Sequence, residues 1–302
     1  MTVGSGAQMD GHEDGREDTR DGRKDGEGGQ EGSREDSRDG RRDGAPGRFI
    51  ALTVALSVPF WLAGAVAGQL TEELPVSALM AVCPGLAAVI LVAREGAPGG
   101  VRRLLARAFD AGRIRDKVWY VPAVLVMPAI MVLSYLVMRF AGAPLPEPEI
   151  SLLAIPLLVV VFFVMAVCEE LGWMAYAYDP MRSRWGALAS GVILGVVWGV
   201  WHVIPYMQAG RGPGWIVWQC VFSAALRVII VWVYDNAGRS VFAASLCHAS
   251  SNVAWTLFPN NGSHYDPAVT GVIAVAVAVL VALFWRARTL SPSRMPEPGA
   301  TG

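Results

Sequence analysis

Two adjacent carboxylates, Glu169 and Glu170, stand inside an apolar run, where an ionisable side chain is costly and is usually retained for function. Few other residues share that setting: His202, Arg227 and His248, with Asn252 one helical turn beyond His248 on the same face. A carboxylate can take a proton from water, and a second polar group can orient that water or steady the oxyanion formed when it attacks a carbonyl. Amide hydrolysis is therefore within the chemistry of Glu169, Glu170, His202, His248 and Asn252, with Arg227 as a buried counter-ion. Two imidazoles and a carboxylate also match a catalytic zinc site, so His202, His248 and Glu169 are the ligands if a divalent metal binds, although no HExxH accompanies them. A proton relay or a bis-histidine haem site would use the same residue types, though no CxxCH is present. Taken singly, each also reads as a packing histidine, a helix-end carboxylate or a structural arginine.

The elements that must position these groups are transmembrane helices. Hydrophobic residues make up 53% of the 302, mean hydropathy is +0.40, and only 17% are charged, against about a quarter in a soluble domain. Of the 51 charged residues 22 precede Phe49, which leaves the rest of the chain poor in charge. A crossing needs about 20 apolar residues. Eight segments qualify: Phe49–Gln69, Pro75–Ala93, Val118–Phe140, Ile150–Tyr178, Trp185–Val203, Trp215–Tyr234, Val241–Phe258 and Ala268–Trp285. The predicted fold is thus all-α, a polytopic membrane bundle of about eight helices over residues 49–285. Residues 1–48 are too polar to offset their ordering entropy and are predicted to be a disordered tail, as are residues 286–302.

Loop charges predict the orientation. Arg48 precedes the first span; Arg94, Arg102, Arg103, Arg107, Arg113, Arg115 and Lys117 fill the second loop; Arg182 and Arg184, then Arg239, then Arg286 and Arg288 mark the later even-numbered connections. The odd-numbered loops hold one cation, Arg211. The pattern predicts a multi-pass protein of the cytoplasmic membrane with both termini inside, in contact with lipid. In the second loop Val101, Leu104, Leu105, Ala108 and Phe109 alternate with arginines, which suits either a helix lying on an anionic leaflet or an ordinary positive loop. A net charge of −1 argues against a nucleic-acid partner. Cys83, Cys168, Cys220 and Cys247 form no CxxC and read as small buried residues.

At a rise of 1.5 Å per residue from the predicted cytoplasmic ends, Glu169 lies about 15 Å deep, Arg227 about 12 Å and His248 about 10 Å. His202, counted from Trp185, falls about 25 Å deep and outside that layer.

Three motifs stand in order: Glu169-Glu170-Leu171-Gly172-Trp173, Trp198-Gly199-Val200-Trp201-His202 and His248-Ala249-Ser250-Ser251-Asn252. They resemble the EExxxR, FxxxH and HxxxN motifs of the CPBP family, the CAAX prenyl endopeptidases and bacteriocin-processing relatives. The resemblance implies an intramembrane endopeptidase acting near the C-terminus of a membrane-associated, CAAX-type substrate. It implies Glu169 as the base, Glu170 in support, His202 and His248 orienting water, steadying the oxyanion or holding a metal, and Asn252 completing the site. Two positions depart: Met174 stands where the motif arginine is expected, and Trp198 replaces the phenylalanine. The first departure favours, as the alternative, a non-catalytic protein of the same fold with an immunity or binding role. If the site is active, Arg227 on the sixth helix is the expected substitute for the missing arginine, holding Glu170 ionised while Glu169 serves as base.

Overall fold

The computed structural model describes residues 45–71, 74–147 and 153–290. The chain forms α1 (Ala45–Ala67) and a two-stranded hairpin of Gln69–Thr71 with Leu74–Pro75. A 3-10 turn (Val76–Val82) then leads into α2 (Cys83–Arg94). After α3 (Gly100–Ala106) and a second 3-10 turn (Arg107–Arg113) come α4 (Tyr120–Phe140) and α5 (Ala154–Gly172). A π-helical segment (Trp173–Tyr178) joins α5 to α6 (Asp179–Trp201), followed by α7 (Val203–Gln208), α8 (Pro213–Asn236), α9 (Val241–Thr256) and α10 (Pro267–Leu290). The architecture is the predicted all-α membrane bundle. Residues 45–48 and 286–290, expected in the tails, continue α1 and α10 as helix, and the rest of both predicted tails lies outside the described residues.

Among the described residues six helical runs are long and apolar enough to cross a membrane, and their outward side chains are apolar, as a lipid contact requires. Val54, Leu62, Val160, Val200, Val217 and Leu283 are examples. One of the six, Ala154–Gln208, is 55 residues long. It is two antiparallel arms, because Gly186 sits at φ +78°, ψ 170°, a conformation that is costly for a side chain and reverses the chain. The reversal brings Trp173 against Trp201, with ring centroids 5.8 Å apart. The turn therefore lies near residue 186, not between Tyr178 and Trp185 as the hydropathy suggested. Measured from Gly186, Glu169 is 17 residues back and His202 is 16 residues on, so both lie about 25 Å along their arms. The misfit of His202 thus disappears, because the arm that carries Glu169 extends to Gly186 rather than ending at Asp179.

The remaining predicted crossing, the seventh, is α9, 16 residues long and therefore shorter than a full span. It is central: His248, Cys247, Ala244, Ser245 and Ser251 are all buried against α4, α5 and α8. Small side chains let the neighbours close around it, and its first turn is held from outside. Asp110 accepts from Ser240 Oγ at 2.8 Å and from the Phe242 N–H at 3.1 Å, and Ser240 in turn caps Ala243 N–H at 3.2 Å. Arg107 donates to the Arg239 carbonyl at 2.6 Å and to the Tyr234 hydroxyl at 3.0 Å. The basic second loop is thus a docked brace. Leu104 and Ala108 enter the core, while Leu105 and Phe109 face outward.

The α6–α8 pair is set by glycines. Gly191, Gly195 and Gly199 recur every fourth residue on one face of α6. A Cβ on Gly195 would meet Ala224 Cα at 2.7 Å and Arg227 Cβ at 2.9 Å. That stripe lets two backbones approach closely, and it carries Trp198 and His202 toward Arg227.

Candidate active site

Consecutive residues on an α-helix point about 100° apart, so the two glutamates of α5 meet different surroundings. Glu170 is turned into the protein and is fully buried. It accepts from Arg227 Nη1 with both oxygens, at 2.8 and 2.6 Å, and its Oε1 also accepts from His248 Nδ1 at 2.8 Å. Glu169 lines a cavity, and its Oε2 accepts from the Trp198 indole N–H at 2.7 Å. The guanidinium expected from α8 therefore reaches Glu170, not Glu169. Met174, where the motif arginine was expected, is fully buried in the π-helical segment.

Trp198 is the hub. The Arg227 guanidinium lies over its ring at 4.5 Å, which gives the cation a π-face in addition to the carboxylate. Arg227 Nε and Nη2 have no hydrogen-bond partner among the described residues, so the stacked ring is the main compensation on that side. The imidazoles of His202 and His248 stand edge-on to the same indole, at 5.2 and 5.1 Å. A phenylalanine would fill the space but could not donate to Glu169.

The ring nitrogens follow from their partners. The Trp198 carbonyl, 2.8 Å from His202 Nδ1, can only accept, so Nδ1 carries the hydrogen. The same holds for His248 Nδ1 against the Glu170 carboxylate. In both rings Nε2 remains as the atom offered to the cavity that the rings line. The carboxylate behind His248 fixes both the tautomer and the orientation of that ring.

The cavity, about 970 Å³ including its open mouth, brings together Glu169, Trp198, His202, His248 and Asn252. Glu170 and Arg227 stand behind this wall. Three residues not singled out from the sequence extend the polar lining outward. Tyr206 stacks on His202 at 5.8 Å, and the Tyr265 hydroxyl donates to Gln219 Oε1 at 3.0 Å. Gln219 was detectable as a lone amide within the Trp215–Tyr234 span. Tyr206 and Tyr265 lie in connections, and nothing local marks them. Among the described residues no three His, Cys, Asp or Glu side chains form a ready metal-ligand set. Glu169, His202 and His248 line one cavity.

The family model described as Type II CAAX prenyl endopeptidase Rce1-like matches residues 151–254, which contain both glutamates, His202, Arg227, His248 and Asn252. A curated relative, CAAX prenyl protease 2 of Methanococcus maripaludis, is 27% identical over 187 residues, covering 57% of this chain and 68% of that protein. With three motifs in order on a bundle of membrane helices, and with these two matches, residues 151–254 are similar to the type II CAAX prenyl endopeptidases.

Proposed function

We propose that the protein is an intramembrane endopeptidase that hydrolyses a peptide bond of a membrane-associated substrate with water activated by Glu169. One observation carries the reading: the two glutamates are divided between tasks. Glu170 is committed to Arg227 and His248, while Glu169 faces the cavity with one oxygen bonded to Trp198 and the other unclaimed among the described residues. A substrate bond in the cavity would meet a base and two imidazole Nε2 atoms on one wall.

The steps balance without an added group. Glu169 accepts a proton from water as the oxygen attacks the scissile carbonyl carbon, and His202 Nε2 orients the water by accepting its other hydrogen. The oxyanion is steadied by the Asn252 amide, and by His248 when it is protonated and held by Glu170. The C–N bond then breaks, and the amine leaves with the proton returned by Glu169. No step is routed through a metal, since among the described residues no three His, Cys, Asp or Glu side chains form a ready ligand set. The positive-inside pattern further supports a cytoplasmic-membrane location with both termini inside. The relative's name supports substrates processed near a C-terminus, CAAX-type among them.

The Arg227–Glu170 pair supports a catalytic reading despite the loss of the motif arginine at Met174, because it brings a guanidinium to Glu170 from another helix. The test is cleavage of membrane-peptide libraries by purified protein in detergent or liposomes. Glu169→Gln removes the base without changing shape, and turnover should fall by about 10²–10⁴ while the melting temperature holds. Unchanged turnover in that variant would remove Glu169 from the mechanism.

A further inference from the structure

A polypeptide held in a cavity among membrane helices brings backbone carbonyls that bulk water no longer serves, and each needs a donor on the wall. In the proposed hydrolysis Asn252 and His248 serve the scissile carbonyl, so the neighbouring substrate carbonyls need donors of their own. A polar row on the same wall has defined hydrogen-bond directions. Tyr206 lies one helical turn after His202, its N–H on the His202 carbonyl at 3.1 Å and its ring stacked on the imidazole at 5.8 Å. Gln219 belongs to α8, and Tyr265 to the connection between α9 and α10. The Tyr265 hydroxyl commits its hydrogen to Gln219 Oε1 at 3.0 Å. That orients the amide so that Nε2 faces Tyr206, donating to its hydroxyl oxygen at 3.5 Å. Ser223, one turn along α8, commits its hydrogen to the Gln219 carbonyl at 2.8 Å and has none left for Tyr206. A hydroxyl that accepts from an amide still carries its own hydrogen. With Gln219 Oε1 occupied, the Tyr206 hydrogen is left for Ser223 Oγ or for an acceptor in the cavity that Tyr206 lines beside His202. An amide carbonyl is the stronger acceptor of the two. Ring contacts hold the row in place, Tyr206 against Trp215 at 5.3 Å and Tyr265 against Phe222 at 6.1 Å.

We propose that Tyr206 is a substrate-binding residue whose hydroxyl donates to a backbone carbonyl near the scissile bond, and that Gln219 and Tyr265 are positioning residues that keep its hydrogen turned to the cavity. The proposal rests on the protease reading for the peptide nature of the ligand. The stack sets the register. An extended peptide advances about 3.3–3.6 Å per residue, so rings 5.8 Å apart serve carbonyls about two residues apart. The bond is remote from the reacting atoms, so its loss weakens the binding of substrate and transition state alike, raising KM with kcat little changed.

Binding is measured with the full-length Glu169→Gln protein in detergent, which keeps the cavity but lacks the base. The probes are fluorescent membrane peptides from the cleavage libraries, each also made with one backbone carbonyl at a time replaced by methylene. Tyr206→Phe keeps the ring and its stack on His202, and Kd should rise about 5- to 30-fold with the melting temperature unchanged. Tyr265→Phe releases the Gln219 amide to turn its oxygen toward Tyr206, and should weaken binding in the same direction. A merely structural role would penalise every peptide equally. Here the Tyr206→Phe penalty should disappear at a single methylene position, about two residues from the bond that the native chain cleaves. A Kd within about 2-fold of the parent, an equal penalty across the series, or no peptide retained at all overturns the proposal. Should Tyr206→Phe fail to fold, the methylene series on the protein with Tyr206 intact decides, since one position must then lose about 5-fold or more. Turnover by the native chain tests the other reading separately. Tyr206-dependent binding without cleavage would sink the protease reading alone, and cleavage with KM unchanged in Tyr206→Phe would sink this proposal alone.

Discussion

Removing Arg227 tests whether a guanidinium from α8 has taken over the task of the missing motif arginine. Both partners of the Arg227–Glu170 pair have no exposed side-chain surface, and Nη1 lies 2.6 and 2.8 Å from the two oxygens. Opposite charges about 4 Å apart at an effective dielectric of about 20 attract by about 4 kcal/mol. Breaking a buried pair by deleting one member costs about 3–5 kcal/mol, because the survivor is left charged and dry. Arg227→Met and Glu170→Gln should therefore each be strongly destabilising. For a domain of this size about 4 kcal/mol corresponds to a fall of roughly 8–16 °C in melting temperature. The double variant removes both charges and leaves no orphan, so it should lie within about 1–2 kcal/mol of the native protein. Thermal unfolding of the four proteins in one detergent measures the coupling. If the two single costs simply add, within about 0.5 kcal/mol, the residues do not act as a pair and the compensation is refuted.

Three further outcomes follow from the same contacts. Trp198→Phe keeps the ring but removes the donor to Glu169 Oε2, and the lost hydrogen bond, worth about 1.5–3 kcal/mol to a charged group, should lower kcat roughly 10- to 100-fold with KM little changed. Gly195→Ala places a methyl 2.7 Å from Ala224 Cα and 2.9 Å from Arg227 Cβ, so α6 and α8 must separate at a cost of about 1–3 kcal/mol, read as a lower melting temperature, whereas Gly212→Ala should be neutral. Met174→Arg in the Arg227→Met background returns a cation four residues after Glu170, and should recover part of the lost melting temperature; no recovery would mean that the π-helical segment cannot aim a guanidinium at Glu170.

Much of the molecule was legible in the chain because a bilayer imposes simple rules. Length and hydropathy marked the helices: α4 begins and ends within two residues of the predicted span, and α9 starts at Val241 as expected. Polar residues inside apolar runs singled out Glu169, Glu170, His202, Arg227 and His248 as candidates, since burying such groups without purpose is costly. The expected pairing of Arg227 with Glu170 is the one found, but the geometry behind it depends on the rotation of α5 against α8 and α9, and on where the arm ending at Gly186 turns back. Apolar content does not encode that turn, because Asp179 to Trp185 is polar enough to be a loop and yet continues as helix. The role of the Trp198 N–H, the stacking of Tyr206 on His202 and the Gln219–Tyr265 contact likewise depend on how the helices pack. A linear chain displays which groups are expensive to bury; only the packed helices decide which of them neutralise one another and which remain facing the cavity.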